Sequence, residues 1–243
     1  MKTNFSVNLN KVALVRNSRG EGLPDLCEMA KSLIAAGCDG ITIHPREGEP
    51  HAKLSDVHAL NQLDGIQNDR IELNIEGSLR QELMDVLLEE NVHQFTIVPD
   101  AKGQITTTRG WEVDERNDDL AAAIAFFTHK KTRISLFLEA DCDAVDYAAK
   151  MGVDAVEFHT KWYAIAFEKG EYQTELDQLK RAADRAREHG LRVHLGHDLN
   201  LQNTETVIQL IHPEEVSIGH ALTAEALYLG MPMMVDKYLA CFS

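Results

Sequence analysis

The chain has 243 residues with no Pro/Gly/Ser-rich stretch or charge block dividing it, so one domain spanning residues 1–243 is expected. Hydrophobic residues make up 44% and charged residues 26%, a globular composition that excludes disorder and collagen-like order. With 24 Lys and Arg against 39 Asp and Glu the formal charge is −15, which argues against nucleic acid or an anionic membrane as partner.

Total charge does not exclude anionic metabolites, because a few basic groups and backbone N–H groups gathered in one pocket hold a phosphate whatever the sign of the surface. Cys27, Cys38, Cys142 and Cys241 are scattered without CxxC spacing, and the N-terminal MKTNFSVNLNKVALVRN carries charges where a signal peptide has an apolar core. A reducing cytoplasm is the expected compartment. No apolar run reaches the roughly 18 residues of a membrane span.

In chain order, apolar β-type runs are predicted at residues 5–9, 40–43, 71–75, 94–98, 133–138, 155–158, 192–195 and 216–218, each followed by a segment of helical periodicity. The clearest helix covers residues 174–188, where Leu176, Leu179, Ala183 and Ala186 recur at spacings of three and four and Gly190 supplies the stop. DLCEMAKSLIAAGCDG and DAVDYAAKMGVDA repeat the order of helix, terminal glycine and strand, with glycine at Gly37 and Gly152. Eight such units in this length favour a closed parallel (β/α)8 TIM barrel over a doubly wound sheet, and no GxGxxG follows the first strand.

A barrel of this kind carries its active site at the C-terminal ends of the strands. Those positions hold Asn8, Asn10 and Lys11, then His44 and Arg46, Glu76, Asp100 with Thr106 downstream, Glu139, Glu157 and His159, His197, and His220. A lone His or Glu there is ordinarily a capped or solvated residue; histidines after four strands with carboxylates and an arginine converge on a chemical site. Gly196 and Gly219 follow strands 7 and 8, where barrels hold phosphate on backbone N–H groups, although a tight turn with positive φ explains a glycine equally well. Arg16 and Arg19 read as a mobile loop offering bidentate anion ligands, or as plain solvated surface.

A zinc site competes for these residues, but there is neither an HxH pair nor an HExxH helix, and His194 and His197 need not face the same way. The predicted strands carry no lysine, and Lys11, Lys53 and Lys161 are expected in loops, so a Schiff base on the enzyme is not expected.

The stretches VNLNKVALVRNSRG, ITIHPREGEPH, ELNIEG, IVPDAKGQITT, VEFHT, LGHDLNL and VSIGHALTAEALYLG resemble, in order and spacing, the pyridoxine 5'-phosphate synthase family over essentially the whole chain. The resemblance implies a TIM barrel that condenses 1-deoxy-D-xylulose 5-phosphate with 3-amino-2-oxopropyl phosphate to pyridoxine 5'-phosphate. Phosphate and water are released without metal or redox cofactor, and the assembly is a homo-octamer. By the same resemblance His44 and Glu76 are proton acceptors, His197 is a proton donor and Glu157 stabilises charge. Asn8, Arg19, Gly219 and His220 fall on the amino-ketone phosphate side, and Asn10, Lys11, Arg46, His51 and Thr106 on the deoxyxylulose phosphate side. The chain departs from the commonest pattern at Asn10-Lys11, where Asp-His is usual, and at Asp198, where glycine is usual. Asp198 is therefore a candidate to orient His197 or to raise its pKa. Two other functions stay open: a phosphosugar isomerase or epimerase using Glu76 and His44 on one substrate, and a catalytically silent phosphosugar-binding barrel.

Overall fold

Apart from Phe137 between Leu136 and Leu138, each strand alternates an apolar residue with a polar or small one, and the alternation decides which way the strand faces. In the computed structural model, which describes residues 2–90, 92–101, 103–104, 106–112, 118–127 and 130–242, eight parallel strands close into a barrel in sequence order. They are β1 (Asn4–Asn8), β2 (Gly40–Ile43), β3 (Glu72–Gly77), β4 (Gln94–Ile97), β5 (Arg133–Leu138), β6 (Ala155–His159), β7 (Arg192–Gly196) and β8 (Glu215–Ile218). The register is continuous through the closing pair, where Val7 stands against Ile218.

Twelve helices occur among the described residues, four more than one per strand. They are α1 (Asn10–Asn17), α2 (Leu26–Ala35), α3 (Leu54–Asn61), α4 (Asp64–Gln67), α5 (Gln81–Glu89), α6 (Asp118–Phe127), α7 (Cys142–Met151), α8 (Lys161–Lys169), α9 (Gln173–Glu188), α10 (Thr204–Ile211), α11 (His220–Leu229) and α12 (Met231–Ala240). The extra helices double the connections after β1, β2, β6 and β8. The expected stretch 174–188 is α9, one residue longer at its start. Gly152 ends α7 in the left-handed conformation, φ 79°, which an L side chain adopts at a cost. Lys11 and Lys161 belong to the first turns of α1 and α8, which corrects the expectation of loops there, while Lys53 lies in the loop just before α3, as expected. Among the described residues no lysine lies on a strand. No helix among the described residues is long and apolar enough to cross a membrane.

Phe5, Val7, Ile41, Ile43, Leu73, Ile75, Phe95, Leu136, Phe158, Val193, Leu195 and Val216 are all fully buried and join the layer between strands and helices. The alternate positions face the lumen and are mostly polar, Phe137 and Ala155 excepted, where branched apolar side chains usually fill such a barrel. Ser6 bonds Thr42 at 2.7 Å, and Thr96 donates to Asn74 Oδ1 at 3.0 Å. Gln94 reaches across the barrel to His194 Nδ1 at 3.3 Å and accepts from Arg133 Nε at 2.7 Å, while Arg133 also pairs with Glu72.

Among these groups Glu215 is held well above the ordinary carboxylate range by burial, then by the charge of Glu72, against the attraction of Arg133. The native state therefore keeps a proton that the unfolded chain releases at its ordinary value of 4.5. Stability linked to this group is full below that value and falls as pH rises toward the folded pKa. Glu215→Gln keeps the shape and hydrogen-bond donor without the titration. It is expected to raise the melting temperature relative to the parent protein more at mildly alkaline than at acidic pH, by calorimetry; an equal difference at both contradicts the assignment.

Candidate active site

The strand ends turn the polar lumen into a cavity of about 550 Å³. Asn8, Asn10, Lys11, Arg46, His51, Glu76, Thr106, Glu157, His197, Asp198, Gly219 and His220 all line it. His44 stands directly behind Glu76, and Arg19 lies outside the lining.

At the end of β1 the Asn8 side chain accepts from the Asn10 N–H at 3.0 Å, while its amide nitrogen lies 3.4 Å from both Glu76 oxygens. Asn10 Oδ1 in turn accepts from the His44 backbone N–H at 2.8 Å. A carboxylate would accept the same bond, so the Asn10 departure preserves this link to β2 and removes a negative charge. Lys11 follows on the first turn of α1 and puts an ammonium on the cavity wall.

The buried ring of His44 lies between two carboxylates, with Nδ1 3.3 Å from Glu76 Oε2 and Nε2 3.1 Å from Asp100 Oδ2. Nδ1 is also 3.2 Å from Arg46 Nη2. Protonated, Nδ1 donates to Glu76; deprotonated, it accepts from Arg46, so this nitrogen serves both states. Arg46 pairs with Asp100, and Thr107 donates to Asp100 at 2.8 Å and accepts from Arg46 at 3.0 Å. Asp100, at a strand end, and its neighbour Thr107 thus complete a network that strand-end reasoning only half identified. Burial alone would raise Asp100; the hydrogen bond and charge of His44, with Arg46 and Thr107, hold it below its ordinary value.

His51 is 2% exposed, and both its ring nitrogens lack a hydrogen-bond partner among the described residues. Burial first, then the charges of Lys11 and Arg46, push its pKa down to about 4, so the ring is neutral at neutral pH. Its backbone is anchored by α1: Asn17 Nδ2 donates to the His51 carbonyl at 2.6 Å. Arg16, expected in a loop, is helical and makes two bonds to Asp56 at 2.6 and 2.9 Å. That carboxylate occupies the fork that would have met an anion. Arg19 is 79% exposed beside Glu21 at 3.0 Å.

Glu76 and Glu157 face the cavity from β3 and β6. Burial favours the neutral form of both. At Glu76 the His44 hydrogen bond and the charges of His44, His197 and Arg46 outweigh burial, and the pKa is lowered. At Glu157 burial is joined by repulsion from Glu76 and opposed only by the Thr96 side chain, and the pKa is raised well above 4.5. One carboxylate is thereby set as an acceptor and one carboxylic acid as a donor.

Gly196 ends β7 where an added Cβ would strike Glu157 Oε1. Its φ is not positive, so its role is clearance rather than turn geometry. The next two residues, His197 and Asp198, have φ of 77° and 57°, left-handed values that side chains adopt under constraint. Thr160 supplies it, donating its hydroxyl to the Gly196 carbonyl at 2.8 Å and also to the His197 carbonyl. The His197 ring packs on Phe137 at 4.9 Å and crosses His159 at 5.1 Å and 86°. Burial lowers its pKa to about 4, against Glu76 and Asp198, which raise it, and with His159 and His44, which lower it. Asp198 does pull the His197 pKa upward, as expected, but burial is the larger effect and the net shift is downward.

Gly219 precedes α11 with φ −130°, and an added Cβ would approach Asn8 Cβ at 2.9 Å. The N-terminus of α11 opens into the cavity beside it, with His220 and Ala221 on the wall. Lys161 and Glu168 of α8 complete the opposite wall. Sequence reasoning missed both, although their spacing of seven places them on one helical face. No group of three or more His, Cys, Asp or Glu among the described residues is arranged to hold a metal ion.

Residues 5–243 match the model of the pyridoxal phosphate biosynthesis protein PdxJ family. The chain belongs to that family. A relative from Albidiferax ferrireducens named pyridoxine 5'-phosphate synthase is 43% identical over 249 residues, covering 100% of this chain and 98% of the relative. One of the same name from Bacteroides thetaiotaomicron is 40% identical over 240 residues, covering 98% and 99%. Among solved structures, a phosphoribosyl anthranilate isomerase from Thermus thermophilus superposes with TM-score 0.58 at 12% identity, covering 98% of this chain and 99% of that one. The YdjI aldolase from Escherichia coli K12 gives 0.61 at 14%, covering 100% and 91%. At these identities the likeness is one of fold.

The clearance at Gly196 generates a direct expectation. Gly196→Ala is expected to lower stability by about 1 kcal/mol or more by overpacking. Adding Glu157→Asp, which withdraws the carboxyl, is expected to restore part of that loss in a double-mutant cycle read by urea unfolding. Strict additivity of the two changes contradicts the contact.

Proposed function

We propose that the chain performs the reaction for which its relatives are named, condensing 1-deoxy-D-xylulose 5-phosphate with 3-amino-2-oxopropyl phosphate to pyridoxine 5'-phosphate, phosphate and water. The observation that carries this reading is one cavity lined by two sets of anion-suited groups together with a single acid–base cluster. Lys11, Arg46, His51 and Thr106 suit one phosphate, and the α11 N-terminus with Asn8, Gly219 and His220 suits the other. An isomerase of one phosphosugar needs only one such set.

In this reading the two phosphates anchor the substrates so that the amine of one meets the ketone of the other, which removes much of the entropic barrier to imine formation. Glu76, ionised, accepts the carbon-bound proton in enolisation, and His44 passes a proton between Glu76 and Asp100 through its two ring nitrogens. Glu157, protonated, donates a hydrogen bond to the oxygen on which negative charge develops. His197 is neutral in the protein alone; a phosphate dianion drawn into the cavity favours its imidazolium, so the donor for the departing oxygen is charged in the complex. Arg19 on its exposed segment belongs to the amino-ketone side only with that segment folded inward.

A homo-octamer in the cytoplasm is part of the same proposal. Leu227 and Tyr228 at the end of α11, 81% and 89% exposed, with Met233 on α12 at 50%, supply an apolar surface that self-association would cover.

The test is incubation with both ketone phosphates, omitting each in turn, while following pyridoxine 5'-phosphate and inorganic phosphate. Both products are expected only in the complete mixture. Conversion of a single substrate would favour the isomerase, and binding of both without product a silent barrel. In the complete mixture Glu76→Gln is expected to lower kcat about a hundredfold or more, with KM far less affected; unchanged turnover would exclude Glu76 as the base.

A further inference from the structure

Behind His197, and outside the cavity lining, lies a second carboxylate–imidazole pair. Glu139, at the end of β5, accepts from His159 Nδ1 at 2.9 Å and from the Gly110 backbone N–H at 3.0 Å, both on Oε1. Burial would raise Glu139; the His159 hydrogen bond, the Gly110 N–H and the charges of His159 and His197 hold it below its ordinary value. An ionised Oε1 only accepts, so His159 Nδ1 donates to it and Nε2 is the ring nitrogen left over. That Nε2 is buried and has no hydrogen-bond partner among the described residues.

An unpartnered buried nitrogen costs on the order of 1–3 kcal/mol, and an apolar ring would fill the same space without that cost. What the imidazole has that an apolar ring lacks is its fixed bond to Glu139. The ring so fixed crosses His197 at 5.1 Å, and both rings pack on Phe137, at 5.2 and 4.9 Å. Glu139 is itself held from the connection that follows β4. A Cβ on Gly110 would strike the backbone at Leu138 and Glu139, Trp111 N–H donates to the Phe137 carbonyl at 2.9 Å, and Trp111 Nε1 donates to the Ile97 carbonyl at 3.0 Å. The same connection carries Thr106 to the cavity.

We infer that Glu139 and His159 are positioning residues for His197: Glu139 orients the His159 ring, and the His159 ring with Phe137 fixes the direction in which His197 presents its proton. The inference rests on His197 acting as the proton donor of the proposed reaction. The groups facing His197 are Glu76 from β3, His44 after β2, His159 from β6 and the adjacent Asp198. Glu139 reaches it chiefly through the His159 ring.

Two variants separate orientation from bulk and charge. Glu139→Gln keeps an oxygen that accepts from both N–H groups, whereas Glu139→Leu fills similar volume and accepts from neither. In Glu139→Leu kcat is expected to fall about tenfold or more with KM for both substrates within about twofold, because a misdirected donor impairs the chemical step rather than binding. In Glu139→Gln kcat is expected to stay within about threefold of the parent, since the hydrogen bond persists. NMR titration of the His197 ring, which needs no turnover, is expected to move in Glu139→Leu and to stay close to the parent in Glu139→Gln. Parent-like kcat and titration in a folded Glu139→Leu protein would overturn the inference, and so would equal damage in both variants. If the parent protein itself forms no product, the synthase reading fails while the titration still decides whether Glu139 positions His197.

Discussion

Glu76 and Glu157 share the buried mouth of one barrel, and the repulsion between two carboxylates there is the constraint around which the site is built. Neither can shed its charge into solvent, so the neighbours decide which one keeps a proton. His44 and Arg46 stand beside Glu76 and favour its anion. Glu157 has no cation among the groups acting on it, and burial with the charge of Glu76 drives it toward its neutral form. A pair of like groups with opposite protonation is the condition for one cavity to run both acid and base steps near neutral pH.

The rest of the fold serves that separation. A lumen of branched apolar residues would leave Glu157 no polar neighbour, whereas Thr96, Asn74 and Gln94 continue a hydrogen-bonded path behind it. Gly196 is small because the Glu157 carboxyl needs its space, and the left-handed backbone at His197 and Asp198 turns the imidazole back over the strands. On the other side α1 works as a brace. Its Arg16 and Asn17 pin the segment carrying His51, so of the two arginines that look from composition like a basic loop, one is part of the architecture. The cations left facing the cavity there are Lys11 and Arg46, with neutral His51 between them able to donate from one ring nitrogen and accept on the other.

The barrel and most of the site were legible in the sequence because both follow from local pattern. Alternation marked the strands, and strand-end position brought His44, Glu76, Glu157 and His197 to one mouth before any distance was known. Features that depend on tertiary neighbours were not legible. The partner of Arg16 is forty residues away at Asp56, so nothing local distinguished a helical brace from an anion ligand. Asp198 follows His197 directly and favours its imidazolium, yet sequence adjacency could not show that burial outweighs that pull. The polar lumen was written in the alternate positions of every strand, Ser6, Thr42, Asn74, Thr96, Ser135 and His194 among them. Glu139 and His159 were marked as strand-end residues, but only the hydrogen bond and ring contact give them a place behind His197.

The most direct measurement is the protonation state of the two carboxyl groups in the substrate-free protein at neutral pH, by infrared difference spectroscopy against Glu157→Gln and Glu76→Gln. Loss of a protonated-carboxyl band in Glu157→Gln, with only a carboxylate band lost in Glu76→Gln, is the expected result. A carboxylate band lost in both variants would show that the two charges coexist and would remove the basis for assigning acid and base roles to this pair.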